Sequence, residues 1–325
     1  TRTADITNAD ISAFWVFGNY ADDPNTVDVF NNVKVNGTGA GEANSKTWSS
    51  EQTAYWQKDK IYQFAAYANG TAKLETGVAF DPAGKTLKFT AYSAGENDLI
   101  AGLDTDKSWN GTGDPDKVSF SFKHMLSKIT FTFKTKAADT YIMNVTGLKI
   151  AQVTASSTVT NPAAPVKTAN GSLGTDDATP VSWETTTNTS TGEYTYENID
   201  DYADGTADAL GYFSKSTTGQ YVIPQANENL YATFTVKMSS QGTDQSGNPT
   251  TVELGSRTFT VSLKYASGET AEPWKPGMHY NYIAEVNPDH VTDEMKPIEF
   301  TVQTVDGWQD PKDITTEPKK VQVNP

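Results

Sequence analysis

The sequence predicts an all-β protein built as two antiparallel β-sandwich domains in tandem, and three observations carry that prediction. Segments of period-two alternation recur along the chain, as in Leu230, Ala232, Phe234, Val236 and Met238, and such alternation marks a strand with one buried face. Clusters of Asn, Gly, Pro and Ser punctuate these segments at short intervals, the spacing of antiparallel sandwiches. No amphipathic pattern sustains three helical turns. At 325 residues the chain is long enough for two domains, since one domain commonly takes about 100–200 residues. The expected split is an N-terminal sandwich over 1–138 and a C-terminal sandwich over 139–325 that ends in an extended tail.

In chain order, Ile11–Phe17 (ISAFWVF) is apolar on both faces and is expected to be a central strand. Residues 18–60 are polar, with isolated anchors at Val27, Val29, Phe30, Val33, Trp48, Tyr55 and Trp56. Strands are expected at Ile61–Tyr67 and Thr86–Tyr92, and a polar loop at Asp104–Lys117. Val118–Lys134 is the most informative stretch: Val118, Phe120 and Phe122 alternate with polar residues, and so do Ile129, Phe131 and Phe133. The link between the two halves holds neither Gly nor Pro, which excludes a tight two-residue hairpin and favours a crossing from one sheet to its partner. Further on, Met143 and Val145 fall out of register with Leu148 and Ile150, and Gly147 between them predicts a bulge. Residues 154–200 are polar, with Leu173, Val181 and Trp183 as anchors. Strands are expected again at Leu230–Met238, Phe259–Leu263, Tyr280–Val286 and Ile298–Val302.

Composition narrows the function. The net charge of −15 and only two arginines, Arg2 and Arg257, argue against nucleic acid as a partner, because phosphate binding needs clustered cations. There is no cysteine, which excludes disulfides, zinc–thiolate sites and thiol catalysis. No apolar run is long enough for a membrane-spanning helix, and Thr1–Asp10 lacks the apolar core of a signal peptide. The chain is therefore expected to be cytosolic or already trimmed.

The order F-x-H-x-L-S-K-I-x-F from Phe122 to Phe131 resembles the hallmark of the Bacteroidales fimbrillin-like (Mfa-like, type V pilin) proteins. Asn97-Asp98-Leu99, Ile223-Pro224-Gln225, Trp274-x-Pro-Gly277 with Tyr280-x-Tyr282, and Ile298-x-Phe300 with Val305-x-x-Trp308 stand in the order of the same family. The resemblance implies two transthyretin-like sandwiches, export as a lipoprotein to the cell surface, and assembly with other pilin subunits by strand exchange. The outer membrane would be reached only through a lipid on the precursor. On this reading the acceptor groove is shaped by Trp15, Phe17, Phe120, Phe122, Ile129, Phe131 and Phe133. The donor strand is Ile314–Val323, with Ile314, Val321 and Val323 as anchors, and Arg2 is the site at which an arginine-directed protease would cut. The alternative is a tip or accessory adhesin that binds host or glycan ligands through loops and exposed aromatics, Trp48, Trp56 and Trp109 being the candidates.

Chemistry finds little support. His124 is expected to be a buried imidazole bonded to backbone, and His279 and His290 to be surface residues, since none has a second ligand at metal spacing. Asp104-x-Asp106-x-Ser108-x-Asn110 alternates oxygen ligands as a calcium loop does. It lacks the glycine at the sixth position and the glutamate at the twelfth, where Pro115 stands. Asp200, Asp201, Asp204 and Asp208 make a second acidic loop. There is no nucleophile elbow and no phosphate-cradling loop. A non-enzymatic protein without cofactor or metal is expected.

Overall fold

The computed structural model describes residues 6–7, 10–22, 25–136, 141–267, 270–292, 298–305 and 314–316. Regular structure is almost all strand. The first nine strands are β1 (Ala13–Asp22), β2 (Asn25–Thr38), β3 (Thr47–Ser50), β4 (Ile61–Asn69), β5 (Val78–Asp81), β6 (Thr86–Ser93), β7 (Leu99–Ser108), β8 (Val118–Phe120) and β9 (Lys123–His124). Next come β10 (Ser127–Thr135), β11 (Ile142–Ile150), β12 (Val166–Leu173), β13 (Val181–Trp183), β14 (Ser190–Thr191), β15 (Tyr194–Thr195), β16 (Phe213–Ser216) and β17 (Gln220–Val222). The last are β18 (Tyr231–Thr243), β19 (Pro249–Ser262), β20 (Ala266–Ser267), β21 (Thr270–Ala271), β22 (His279–Glu285), β23 (Phe300–Val305) and β24 (Ile314–Thr316). One short helix, α1 (Pro288–Thr292), and a single helical turn at Ala43–Ser45 complete the described elements.

Two units are distinguished, one from the described residues of Thr1–Leu126, Ala169–Thr189 and Gly307–Pro325, the other from those of Ser127–Thr168 and Ser190–Asp306. The expected split after residue 138 is contiguous. These units interleave, and the chain passes from one to the other inside Val118–Lys134.

In the first unit, the strand order β3-β2-β1-β4-β7-β9 makes a six-stranded sheet, and β13-β12-β6-β5 a second. The double-sided apolar character of ISAFWVF now has its cause. Trp15 and Phe17 turn to one face of β1 and stack on Tyr67, whose ring meets Phe89 edge-on at 6.0 Å. Phe14 turns to the other face, with its centroid 5.7 Å from Phe120, 5.5 Å from Phe122 and 5.1 Å from Trp48. A strand covered on both faces cannot show polar alternation. β2 lies where only scattered anchors were expected. Val27, Val29, Val33 and Val35 share one face, but Phe30 and Asn31 break the alternation between them, beside Asn32, held at φ 55°, and the register shift opposite Val16–Gly18. The expected loop at Asp104–Lys117 begins later, because β7 runs on to Ser108 and pairs with β4.

In the second unit, β16-β10-β22-β23 form one sheet, with β17 also paired to β10, and β15-β11-β18-β19 another. β10 and β22 are parallel, from Lys128↔His279 to Lys134↔Glu285, an exception to the expected all-antiparallel pairing. The bulge predicted at Gly147 is present: φ there is 64°, and the β11–β18 register shifts between Thr146 and Lys149. The core is aromatic. Phe131 packs on Tyr196, Tyr282 and Phe300, and Phe133 on Tyr202 and Phe234.

Candidate functional site: an apolar groove in the first unit

On the Phe14 face of β1 the first unit leaves a groove of about 170 Å³. It is lined by Phe14, Val16, Val35 and Phe64 from β1, β2 and β4, together with Trp48, Trp56, Val118 and Phe120. Ser49, Ser50 and residues 52–55 form the rim. Among the described residues no Asp, Glu, Lys or Arg lines it, so an occupant is matched there by shape and apolar contact rather than by charge.

Local sequence builds this shape. Gly18 leaves room for the Phe64 ring, which would lie 2.7 Å from an added Cβ. Gly37 does the same for Trp48, whose ring would approach a Cβ to 2.8 Å, and the Trp48 indole N–H is satisfied by the Ala43 carbonyl at 2.8 Å. The rim is tied down by side chains: Gln52 Nε2 donates to the Val29 carbonyl at 3.0 Å, and the Gln57 N–H to the Tyr62 hydroxyl at 2.7 Å. Burial raises the Tyr62 pKa, keeping that hydroxyl neutral. β24 lies antiparallel to β8, with Ile314↔Phe120 and Thr316↔Val118. The backbone of β8 thus takes up an extended segment from the end of the same chain.

Of the residues assigned to the groove from sequence, only Phe120 lines it, and Phe122 is buried behind it against Phe14. Trp15 and Phe17 belong to the opposite face of β1, and Ile129, Phe131 and Phe133 to the core of the second unit. Phe14, Val16, Trp48, Trp56 and Phe64 were missed. The signal for the first two was available, because Phe14 and Val16 share a face with Gly18 and so with the room Gly18 leaves. Trp48 and Trp56, expected as exposed aromatics, are 8% and 6% exposed, and Trp109 is half-buried with its N–H on the Gly113 carbonyl. Of the donor anchors, Ile314 opens β24, while Val321 and Val323, like Arg2 and Trp308, lie outside the described residues.

The family-like motifs turn out to clasp one another. His124 Nδ1 lies 3.1 Å from Asp98 Oδ1, with both side chains out of contact with water, so its partner is a carboxylate rather than the expected backbone. The other oxygen, Asp98 Oδ2, accepts the Ile6 N–H at 2.8 Å. Gln225 accepts from Val166 N–H at 2.8 Å, donates to the Val166 and Ile223 carbonyls at 3.0 Å, and its own carbonyl takes the Trp274 N–H. Trp274 Nε1 donates to the Tyr282 hydroxyl at 2.8 Å, which donates to the Leu263 carbonyl at 2.7 Å. These residue types are set by internal satisfaction of buried polar groups.

The acidic runs are likewise engaged. Asp104 pairs with Lys107 and accepts the Ser119 N–H, which counter the burial that raises its pKa. Asp106 pairs with Lys85 and Gln63, and these hydrogen bonds lower its pKa. Asp201 accepts from Met143 and Ala203, and Asp208 from Leu210 and Tyr212. His279 Nε2 sits 2.8 Å from the Thr130 hydroxyl, and His290 Nδ1 accepts the Asn287 N–H. Among the described residues no group of three or more His, Cys, Asp or Glu is placed to hold a metal.

The profile of the fimbrillin-like family matches residues 1–308 of the chain. No curated protein matches it. Among solved structures, a fimbrial protein from Bacteroides vulgatus shares 16% identity at a TM-score of 0.51, with 91% of this chain and 93% of that one covered. A candidate cell adhesion protein from Bacteroides uniformis shares 16% identity at a TM-score of 0.47, covering 95% of this chain and 94% of that one. At such identities the first likeness speaks for the fold, and the family match over nearly the whole chain supplies the assignment. The chain belongs to the fimbrillin-like family.

Proposed function

We propose that this protein is a structural subunit of a bacterial surface fimbria, exported to the outer membrane on a lipid-anchored precursor, and that it joins neighbouring pilin subunits by accepting a strand in its groove. The observation that carries the reading is the apolar groove on β1, β2 and β4, beside a strand, β8, whose backbone accepts an extended segment. Strand addition supplies ladder hydrogen bonds from the backbone and specificity from alternate side chains in pockets. The reading needs no catalytic group and no cofactor. The C-terminal segment from Ile314 is the proposed donor, with Ile314, Val321 and Val323 as anchors. At about 1.5–3 kcal/mol per buried aliphatic side chain, three anchors contribute on the order of 5–9 kcal/mol before ordering costs. Processing at Arg2 is proposed as the step that precedes assembly.

Deleting Ile314–Pro325 tests it. The truncated chain should stay folded, fail to form a heat-labile multimer ladder, and shorten the polymers of intact chains when mixed with them, because it can accept a strand but not give one. Polymers of unchanged length from the truncated chain alone would remove the C-terminus as donor.

A further inference from the structure

The sequence contains four Asn-Gly pairs, Asn36-Gly37, Asn69-Gly70, Asn110-Gly111 and Asn170-Gly171. Such pairs can cyclise, because glycine lets its backbone nitrogen reach the preceding side-chain amide. Folding treats the four differently. Asn36 lies in β2, its side-chain NH2 donates to Glu51, and the Gly37 N–H is bonded to the Ser12 carbonyl. Asn69 is 5% exposed, accepts from the Tyr92 hydroxyl, and the Gly70 N–H is bonded to Asp98. Asn170 lies in β12, with its NH2 on Glu184 and its oxygen on the Ala91 N–H.

Asn110 stands apart. It is exposed, in the turn between β7 and β8, and the Gly111 N–H has no hydrogen-bond partner among the described residues. Its side-chain oxygen accepts two hydrogen bonds from one residue, the Thr112 N–H at 2.9 Å and the Thr112 hydroxyl at 2.9 Å. Two donors on a carbonyl oxygen stabilise the negative charge that gathers there when the carbon is attacked. The side-chain nitrogen has no hydrogen-bond partner among the described residues and is able to depart.

We propose that Asn110-Gly111 is a self-modification site at which the folded chain converts an amide to a carboxylate. The Gly111 nitrogen gives its proton to solvent base and bonds to Asn110 Cγ, and Thr112 holds the resulting oxyanion. The Cγ–Nδ2 bond then breaks, and the nitrogen leaves as ammonia after taking a proton from water. A five-membered succinimide remains. Water opens it at either carbonyl, leaving aspartate or isoaspartate at position 110, and so one more negative charge in the turn that leads into β8.

The experiment incubates the intact protein at mildly alkaline pH and follows all four sites by peptide mass mapping, beside the same chain unfolded in urea. In the folded protein Asn36, Asn69 and Asn170 should convert at least about tenfold more slowly than when unfolded, since reaction there waits on local opening. Asn110 should convert as fast folded as unfolded, or faster. Thr112→Val, which keeps the backbone donor and removes the hydroxyl, should slow Asn110 severalfold in a protein of unchanged circular dichroism, and Asn110→Gln should abolish the product. Equal rates at all four sites in the folded protein, or an unchanged rate in Thr112→Val, would overturn the proposal.

Discussion

Asp98 and His124 show how far single residues could be read. The sequence placed His124 inside, among Phe120 and Phe122, and it is 2% exposed. Its partner could not be read, because Asp98 reaches it only through the β7–β9 register that sets Ile100 opposite His124. The identity of the partner changes a prediction. A histidine bonded to backbone would tolerate phenylalanine, whereas His124→Phe here strips a contact from a fully buried carboxylate, at an expected cost of about 3 kcal/mol. Urea midpoints of the variant and parent check this, and a loss well under 1 kcal/mol would count against the pair. Phenols make the second prediction at this scale. Burial pushes Tyr67 and Tyr280 up to about 12, against an ordinary value of about 10. Between those values the unfolded chain releases protons that the folded chain keeps. Stability, fully present below about pH 10, should therefore fall as pH rises toward about 12. Tyr67→Phe should flatten that fall, measured as the urea midpoint against pH.

For elements, alternation was a good guide wherever one face met water and a poor one elsewhere. β18, with Phe234, Val236 and Met238 turned inward, was legible residue by residue. β1 was legible as a strand but not as to which face does what, since both are buried, and the groove was therefore assigned to Trp15 and Phe17 instead of Phe14 and Val16. β2 was lost because Phe30 and Asn31 interrupt its alternation, next to the left-handed Asn32. Two substitutions test the groove side of these strands. Phe14→Ala removes a ring that meets Trp48, Phe120 and Phe122, and should cost about 3–5 kcal/mol. Gly37→Ala drives a methyl group to 2.8 Å from the Trp48 ring and should cost about 1–3 kcal/mol. Both are read by thermal or urea unfolding. If Gly37→Ala proves neutral, the Trp48 wall is movable and the groove less fixed than its contacts imply.

At the scale of the molecule, the all-β class and the family were legible, because strand pattern and motif order are both written along the chain. The assembly of units was not. Ala169–Thr189 goes to the first unit although it lies far along the sequence, and nothing in a linear pattern of Thr, Asn and Gly says which sheet a short strand will join. In the first unit Trp183 stands 5.9 Å from Tyr92 and donates to the Met125 carbonyl at 2.7 Å. A fragment ending at residue 138 lacks β12 and β13. It should bind a hydrophobic dye and show no cooperative unfolding transition, while the full chain shows one.

The registers in the second unit bear on how it carries tension. Lys128 lies opposite His279, and His279 opposite Val305, so the start of β10, the start of β22 and the end of β23 stand in a row at one end of the sheet. The chain first enters by the first and finally leaves by the last, about two strand spacings or ~10 Å away, with Ala169–Thr189 given to the first unit in between. A pull applied at these two points runs across the strands, not along them, and bypasses the rest of the unit, which hangs beside the load line. The hydrogen bonds between β22 and β23 then meet the force one pair at a time, from His279↔Val305 inward. This unit should yield by unzipping its last strand at low force, lengthening like a short elastic link while its aromatic core stays shut.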